Sequence, residues 1–456
     1  MNSPQTHSVK HYPQFSFKYL FLLMNRFVSL FISLVISSTF IAGAFSYRNL
    51  PDTLCGSMMP YNFSQVEPAE WPDSLTVVHS EYVARHGSRY LSGEAKVGKI
   101  RNALVKARDE HKLTAEGIDF LTLLDSIWNI SSGKWGSLST LGVEEEQQLG
   151  KEITTLLPPL KSRGAKVNAL SSPVPRVVMT MYQFLHAVNE RNDSVSVSAS
   201  EGPEYMSLLC PFVTDKEYSI YREEGDWKKV YDRFLDAEVS EKPAIRMLGE
   251  NSGYSRHKLR ELTMEIYGVI QGNMAYGLPT PTTKWMTVDE FRRCYLASNL
   301  KHYLRNSITP ANSTAGKAIA PLLKEMIEGC DKAIGSAVES SADSATNADG
   351  SFVMNCYFGH AETLLPLLSL MDIPSASTIS NDPAMLQNSW QVYKLTPLAA
   401  NLALSIMHGP SGAYYAALRL NGRNIPPMPG DSRMIVEWKN LRSFWMSRID
   451  KYLDAN

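Results

Sequence analysis

Leu75-Thr-Val-Val-His-Ser-Glu-Tyr-Val-Ala84 is the stretch that most narrows what this chain can fold into. It is rich in β-branched residues and reads as a buried strand. It runs without a break into Arg85-His86-Gly87-Ser88-Arg89. The loop that follows the carboxyl end of a strand is where open α/β sheets place their chemistry. Here it carries one imidazole between two guanidinium groups. Two fixed cations make an anion site, and the guanidinium fork matches the oxygens of a phosphate. An imidazole kept neutral beside them can attack phosphorus. For a single such loop the plainer reading is a histidine satisfied among basic neighbours, so its meaning depends on what else the chain offers.

A second strand, loop and helix lies near the other end. Phe352-Val-Met-Asn-Cys-Tyr-Phe358 leads through Gly359 to His360-Ala361-Glu362, and an apolar helical pattern follows from Leu364 to Met371. His360 can donate to a phosphoryl oxygen. Glu362 can act as a general acid if burial or nearby phosphate charge raises its pKa. The plainer reading is an acid placed favourably at a helix N-terminus.

Taken together these motifs resemble the histidine phosphatase superfamily, in the branch of histidine acid phosphatases and phytases. Arg85 to Arg89 matches Arg-His-Gly-x-Arg. His360-Ala-Glu362 stands where most of that branch has His-Asp, and is similar to the multiple inositol-polyphosphate phosphatase group. Ser171-Ser-Pro-Val-Pro-Arg176 falls where the family places a further phosphate-binding arginine at a helix start. Gly136-Ser-Leu-Ser-Thr-Leu-Gly142, followed by a Glu/Gln run to Gly150, is a fourth match. The resemblance spans about Tyr61 to Pro429. It is weakest at Leu420-Asn-Gly-Arg423, where the family usually has a glutamate and this chain has Gly422.

The resemblance implies an α/β fold: a mainly parallel sheet flanked by helices, with an inserted, mostly helical second lobe. It also implies double displacement. Arg85, Arg89, Arg176 and His360 would bind the scissile phosphate, His86 would form a phosphohistidine, and Glu362 would protonate the leaving group. The substrate expected is an inositol polyphosphate such as phytate. The alternatives are a general acid phosphatase or 2,3-bisphosphoglycerate phosphatase of the same branch, a secreted binding protein that has lost catalysis, and an anchored surface protein.

The residues themselves place core strands at Leu75–Ala84, Lys166–Leu170, Val195–Ala199 and Phe352–Phe358. A hairpin, Ala400–Met407 and Ala413–Leu420, turns at Gly409-Pro-Ser-Gly412. Helical spacing fills about 92–138 and 206–338, the expected lobe of a domain running from 45 to 456. Residues 1–44 read as an extension plus leader. Phe27 to Ala44 is almost wholly apolar, follows Arg26 and ends in Ala42-Gly43-Ala44, the layout of a secretory signal, with Met24 as a cleaner start. An uncleaved anchor is the alternative, and only then would the protein be held at a membrane. Export is expected either way.

The chain has 456 residues and a formal charge of −1, so no global field draws in nucleic acid. Affinity for a highly charged small molecule must then come from local clusters, for which Lys96, Lys99 and Arg101, just after the first loop, are candidates. A solvated helix face is their competing reading. No zinc-spaced Cys/His set, P-loop or dinucleotide fingerprint occurs, so neither cofactor nor metal is expected. Five cysteines leave at least one unpaired and make one or two disulfides plausible for an exported chain.

Overall fold

The computed structural model describes residues 47–69, 71–342, 352–380 and 382–453. The expected leader and its cleavage site lie outside the described residues. Contacts divide the chain after Arg48, and the unit from Asn49 onward holds all that follows.

Among the described residues, eight strands form one sheet. They are β1 (Thr76–Arg85), β2 (Lys166–Ser171), β3 (Ser196–Glu201), β4 (Met354–Gly359), β5 (Asn401–His408), β6 (Tyr414–Leu420), β7 (Arg423–Ile425) and β8 (Ile435–Glu437). The spatial order is β3-β2-β4-β1-β5-β6-β7, with β8 also paired to β6. β3, β2, β4 and β1 run parallel, and β5 and β6 continue the sheet as an antiparallel hairpin. This is the mainly parallel α/β sheet the sequence led us to expect. The expected strands fall within one or two residues of those observed.

The central strands β1, β4 and β5 are covered on both faces and buried along nearly their whole length, whereas β2 alternates and the edge strand β3 is largely half-exposed. The period of two still sorts side chains between two cores. Val83, Tyr357, Leu402, Leu404 and Ile406 join one core, with the helices Thr314–Ala342, Ala361–Leu370 and Trp438–Leu453. Tyr82, Ala84, Cys356, Phe358 and Ala403 join the other, beneath Thr140–Leu156 and Pro175–Arg191.

The helical segments expected around the two long connections are present. Ala95–Asp109 and Ala115–Ser131, from the first connection, pack on Lys242–Leu248 and Arg256–Ile270, from the second. The last helix of that stretch, Thr314–Ala342, lies on β1 as part of the sheet's own covering. Among the described residues no helix is long and apolar enough to cross a membrane.

Two expectations change. All five cysteines are buried free thiols, so no disulfide forms within the chain. The corner Leu420-Asn421-Gly422-Arg423 is a two-residue hairpin between β6 and β7, with φ of 51° at Asn421 and 74° at Gly422. Positive φ at both positions is the turn that Asn-Gly favours. A Cβ at residue 422 would stand 2.8 Å from Val66 Cγ2, so the departure from the family pattern has a local structural reason.

Trp445 is fully buried in the larger core, and its indole N–H donates to the Met371 carbonyl at 3.2 Å. Trp445→Ala should lower unfolding free energy by about 3–5 kcal/mol. A denaturant titration checks this; a loss under about 1 kcal/mol would mean that the C-terminal helix adds little to the fold.

Candidate active site

β1 and β4 are adjacent and parallel, and Arg85 is in register with Gly359. The two motifs therefore emerge side by side at the carboxyl edge of the sheet. The His86 and His360 rings meet edge to face with centroids 5.6 Å apart. β2 flanks β4 on the other side, and the turn after it sets Arg176 in the first turn of Pro175–Arg191. Pro175 suits that start, since its fixed φ matches a helix and its missing N–H needed no partner. Arg176 Nη2 lies 3.5 Å from His360 Nδ1, and Ser172 Oγ is 3.3 Å from His360 Nε2. Arg85, His86, Arg89, Arg176, His360 and Glu362 thus converge on one edge.

The loop is held by many small contacts. The His86 N–H donates to the Gly359 carbonyl, and the His86 carbonyl accepts from the Ala399 N–H. His86 Nδ1 is 2.9 Å from the Gly87 carbonyl. A carbonyl can only accept, so Nδ1 carries the proton and Nε2 keeps its lone pair. Burial drives the His86 pKa well below the usual imidazole range, and Arg85, Arg176, Arg89 and His360 add to the effect. The same causes favour the neutral form of the ring. Burial likewise brings His360 down to about 4, with Glu362 opposing and the arginines assisting.

Arg85 is buried and donates through Nη1 to the carbonyls of Ser57 and Thr396 at 2.6 and 2.7 Å. Burial lowers its pKa to about 9 and that of Arg176 to about 10; the other arginines nearby contribute to both. The Nε atoms of Arg85, Arg89 and Arg176 are buried without a hydrogen-bond partner in the protein. Buried donors are normally paired. Three guanidinium groups close enough to act electrostatically on one histidine make a site for an oxyanion.

Glu362 departs from expectation. Burial alone would raise its carboxyl. Arg222, His360 and His302 outweigh burial and hold it well below the ordinary carboxylate range. Arg222 Nη2 is 3.6 Å from Glu362 Oε1, and Asn306 Oδ1 anchors the same guanidinium. The unliganded protein therefore carries an ionised Glu362.

Arg222, His302 and Asn306 come from the long helical connection, which offers no motif in sequence. Glu145 was also missed. It is buried and accepts from Ser88 N–H at 2.7 Å, Ser88 O–H at 3.0 Å and Tyr61 N–H at 2.9 Å, buttressing the catalytic loop from below. A signal was available. Gly142, Glu145 and Leu149 share one helical face, so an acid of the Glu144-Glu145-Glu146 run had to turn inward.

Two of the residues expected to meet further substrate charge are held in exposed ion pairs. Lys99 and Arg101 lie on Ala95–Asp109. Lys99 Nζ is 3.8 Å from Glu265, and Arg101 reaches Asp125 at 3.2 Å with its guanidinium 5.5 Å from the Trp128 ring centroid. The Lys96 side chain lies outside the described residues.

No protein-family model matches the chain. Solved structures do resemble it. The multiple inositol polyphosphate phosphatase of Bifidobacterium longum, in complex with inositol hexasulfate, superposes with a TM-score of 0.70 at 14% identity, over 86% of this chain and 97% of that one. The phytase of D. castellii gives 0.62 at 16% identity over 89% and 86%. The phytase of Citrobacter braakii gives 0.52 at 12% over 82% and 98%. The chain has the fold of these enzymes, as the motif resemblance implied.

Two outcomes follow from this geometry. A Cβ at Gly142 would sit 2.1 Å from the Ser88 carbonyl oxygen. Gly142→Ala should displace the loop and cut kcat by about 10- to 100-fold, because misplaced reacting groups are that costly; steady-state kinetics on the folded variant decide. Removing the Arg222 charge should release Glu362. Any activity that depends on the protonated carboxyl of Glu362 falls as pH rises. Arg222→Met should therefore shift the alkaline limb of kcat upward by roughly one pH unit. A stationary limb would assign that titration to another group.

Proposed function

We propose that this protein is an exported histidine acid phosphatase of the multiple inositol-polyphosphate phosphatase group, releasing phosphate from inositol polyphosphates such as phytate. The observation that carries this reading is the meeting of the two motifs on the adjacent ends of β1 and β4, with Arg85, Arg89 and Arg176 all acting electrostatically on His86. The Bifidobacterium longum structure, which holds inositol hexasulfate in this same fold, supports the substrate class.

In the first half-reaction, His86 Nε2 attacks phosphorus while Arg85, Arg89, Arg176 and His360 stabilise the charge on the phosphoryl oxygens. The P–O bond to the inositol breaks. Glu362 gives its proton to the departing alkoxide and becomes a carboxylate. In the second, Glu362 takes a proton from water as the oxygen attacks phosphorus, the P–N bond breaks, and inorganic phosphate and neutral His86 are regenerated. The guanidinium groups supply the electrostatic stabilisation, so neither cofactor nor metal has a part in these steps.

The low pKa of Glu362 in the free protein fits this cycle. A phosphate dianion entering beside it offsets Arg222 and His302, so the acid is charged with its proton only when substrate is present. His86→Ala should retain less than about a thousandth of the wild-type rate. Glu362→Gln should still form phosphoenzyme from p-nitrophenyl phosphate, whose leaving group needs no proton, but not from phytate. Rapid-quench trapping reads both, and a fully active His86→Ala enzyme would exclude the covalent route.

The distal phosphates of the substrate are assigned to the helical lobe, with Lys96, Lys99 and Arg101 as candidates. Lys99 and Arg101 would then exchange Glu265 and Asp125 for phosphate oxygens. Arg101→Ala, or raised salt, should increase KM for phytate several-fold more than for p-nitrophenyl phosphate, since such exposed contacts are screened. Equal changes for the two substrates would remove the helix from the binding site.

A further inference from the structure

At the opposite end of β1 from the catalytic loop, a second cluster of reactive side chains lies beneath the helix Thr314–Ala342. His79 and Glu81 project from the same face of the strand, and Cys330 descends from the helix. All three are buried, and one potential ligand atom from each lies within 4.8 Å of the others. We propose that His79, Glu81 and Cys330 form a binding site for a divalent transition metal, with zinc the best match.

The donor set is the first argument. Imidazole, carboxylate and thiolate are together the ligand types of zinc. A thiolate and a carboxylate balance the charge of a divalent ion, so the loaded cluster is neutral and can stay buried. Three protein ligands leave a fourth position for water.

The arrangement around the ligands is the second argument. His79 Nδ1 lies 3.0 Å from the Phe352 carbonyl, which fixes the proton on Nδ1 and turns the Nε2 lone pair inward. Metal-bound histidines are commonly held in this way through their other nitrogen. Nε2 then faces Glu81 Oε1 at 2.8 Å, lone pair toward lone pair, so a cation or a proton must lie between them. Asn355 Nδ2 donates to Oε1 at 2.8 Å, and the Tyr357 hydroxyl also interacts with this fully buried carboxylate, whose Oε2 has no partner of good hydrogen-bond geometry. The carboxylate therefore has an oxygen to give.

The third argument is access and room. A Cβ at residue 329 would fall 2.1 Å from Glu81 Oε1, so Gly329 is what lets the helix settle onto the carboxylate. A cavity of about 240 Å³ lined by His79, Gly329, Phe352 and Asn355 reaches the cluster at His79, and its wall carries two carboxylates, Glu325 and Glu328, against one cation, Lys332. On binding, the ion forms bonds to Nε2, a carboxylate oxygen and Sγ. The thiol proton, and the proton held between His79 and Glu81, leave to solvent.

Cobalt(II) is the direct probe, because a thiolate ligand gives it an intense ultraviolet charge-transfer band. The chelator-stripped full chain should develop that band to saturation at one cobalt per chain and lose it when zinc is added. Cys330→Ser should abolish the band, and His79→Gln should weaken binding at least about tenfold, whereas His86→Ala should leave both unchanged. No band on the wild-type chain would overturn the proposal and leave a shared proton as the occupant, and this reading needs no variant to fold. A band that survives Cys330→Ser would place the thiolate elsewhere and overturn it equally.

Discussion

The parallel pairing of β1 with β4 is the contact on which the site depends. Arg85 and Gly359 stand opposite each other at the end of that ladder. Each strand ends in one of the two motifs, so the pairing is what brings them together. The Gly359 carbonyl even accepts the His86 N–H, so the ladder continues one step into the catalytic loop. Parallel strands require long crossover connections. Here most of the polypeptide between the two motifs is that connection, and part of it returns as the helices that hold Arg222, His302 and Asn306 beside Glu362. The length of the connection is thus part of the site.

Gathering three arginines and two histidines at one edge is costly, and the structure shows what offsets the cost. The histidines discharge, because burial and the cations lower their pKa values. Arg85 is tethered to two backbone carbonyls, and Glu145 braces the loop through Ser88. What remains is positive charge with unpaired donors, fixed in place before any substrate arrives. Stabilisation organised in advance needs no rearrangement during the reaction. Glu362 balances the same field from the other side, with its own charge held by Arg222.

Much of this was legible in the sequence because the motifs occupy strand ends, and strand ends are marked by local pattern. The β-branched run before Arg85, the apolar run before Gly359 and the proline before Arg176 each announced an element boundary. Where the residues act through tertiary contact, the sequence was silent. Arg222 sits in Lys216–Glu224, whose composition is that of any surface helix. The three-residue strands β7 and β8 are too short to show periodicity, and the helix Trp438–Leu453 went unread although Trp438, Leu441, Trp445 and Ile449 mark its buried face. Asn421-Gly422 was read as a missing acid when it was a hairpin signal. The ionisation of Glu362 was also out of reach, since it depends on Arg222 and His302, far away in sequence.

The central claim is that phosphorus passes through a covalent bond to His86. The stereochemistry of the transfer tests this without altering the protein. A phosphate monoester made chiral at phosphorus with oxygen isotopes can be turned over in the presence of an acceptor alcohol, and the configuration of the transferred phosphoryl group determined. Two successive in-line displacements, first by His86 and then by the acceptor, predict net retention. Net inversion would mean a single direct displacement and would contradict the phosphohistidine account.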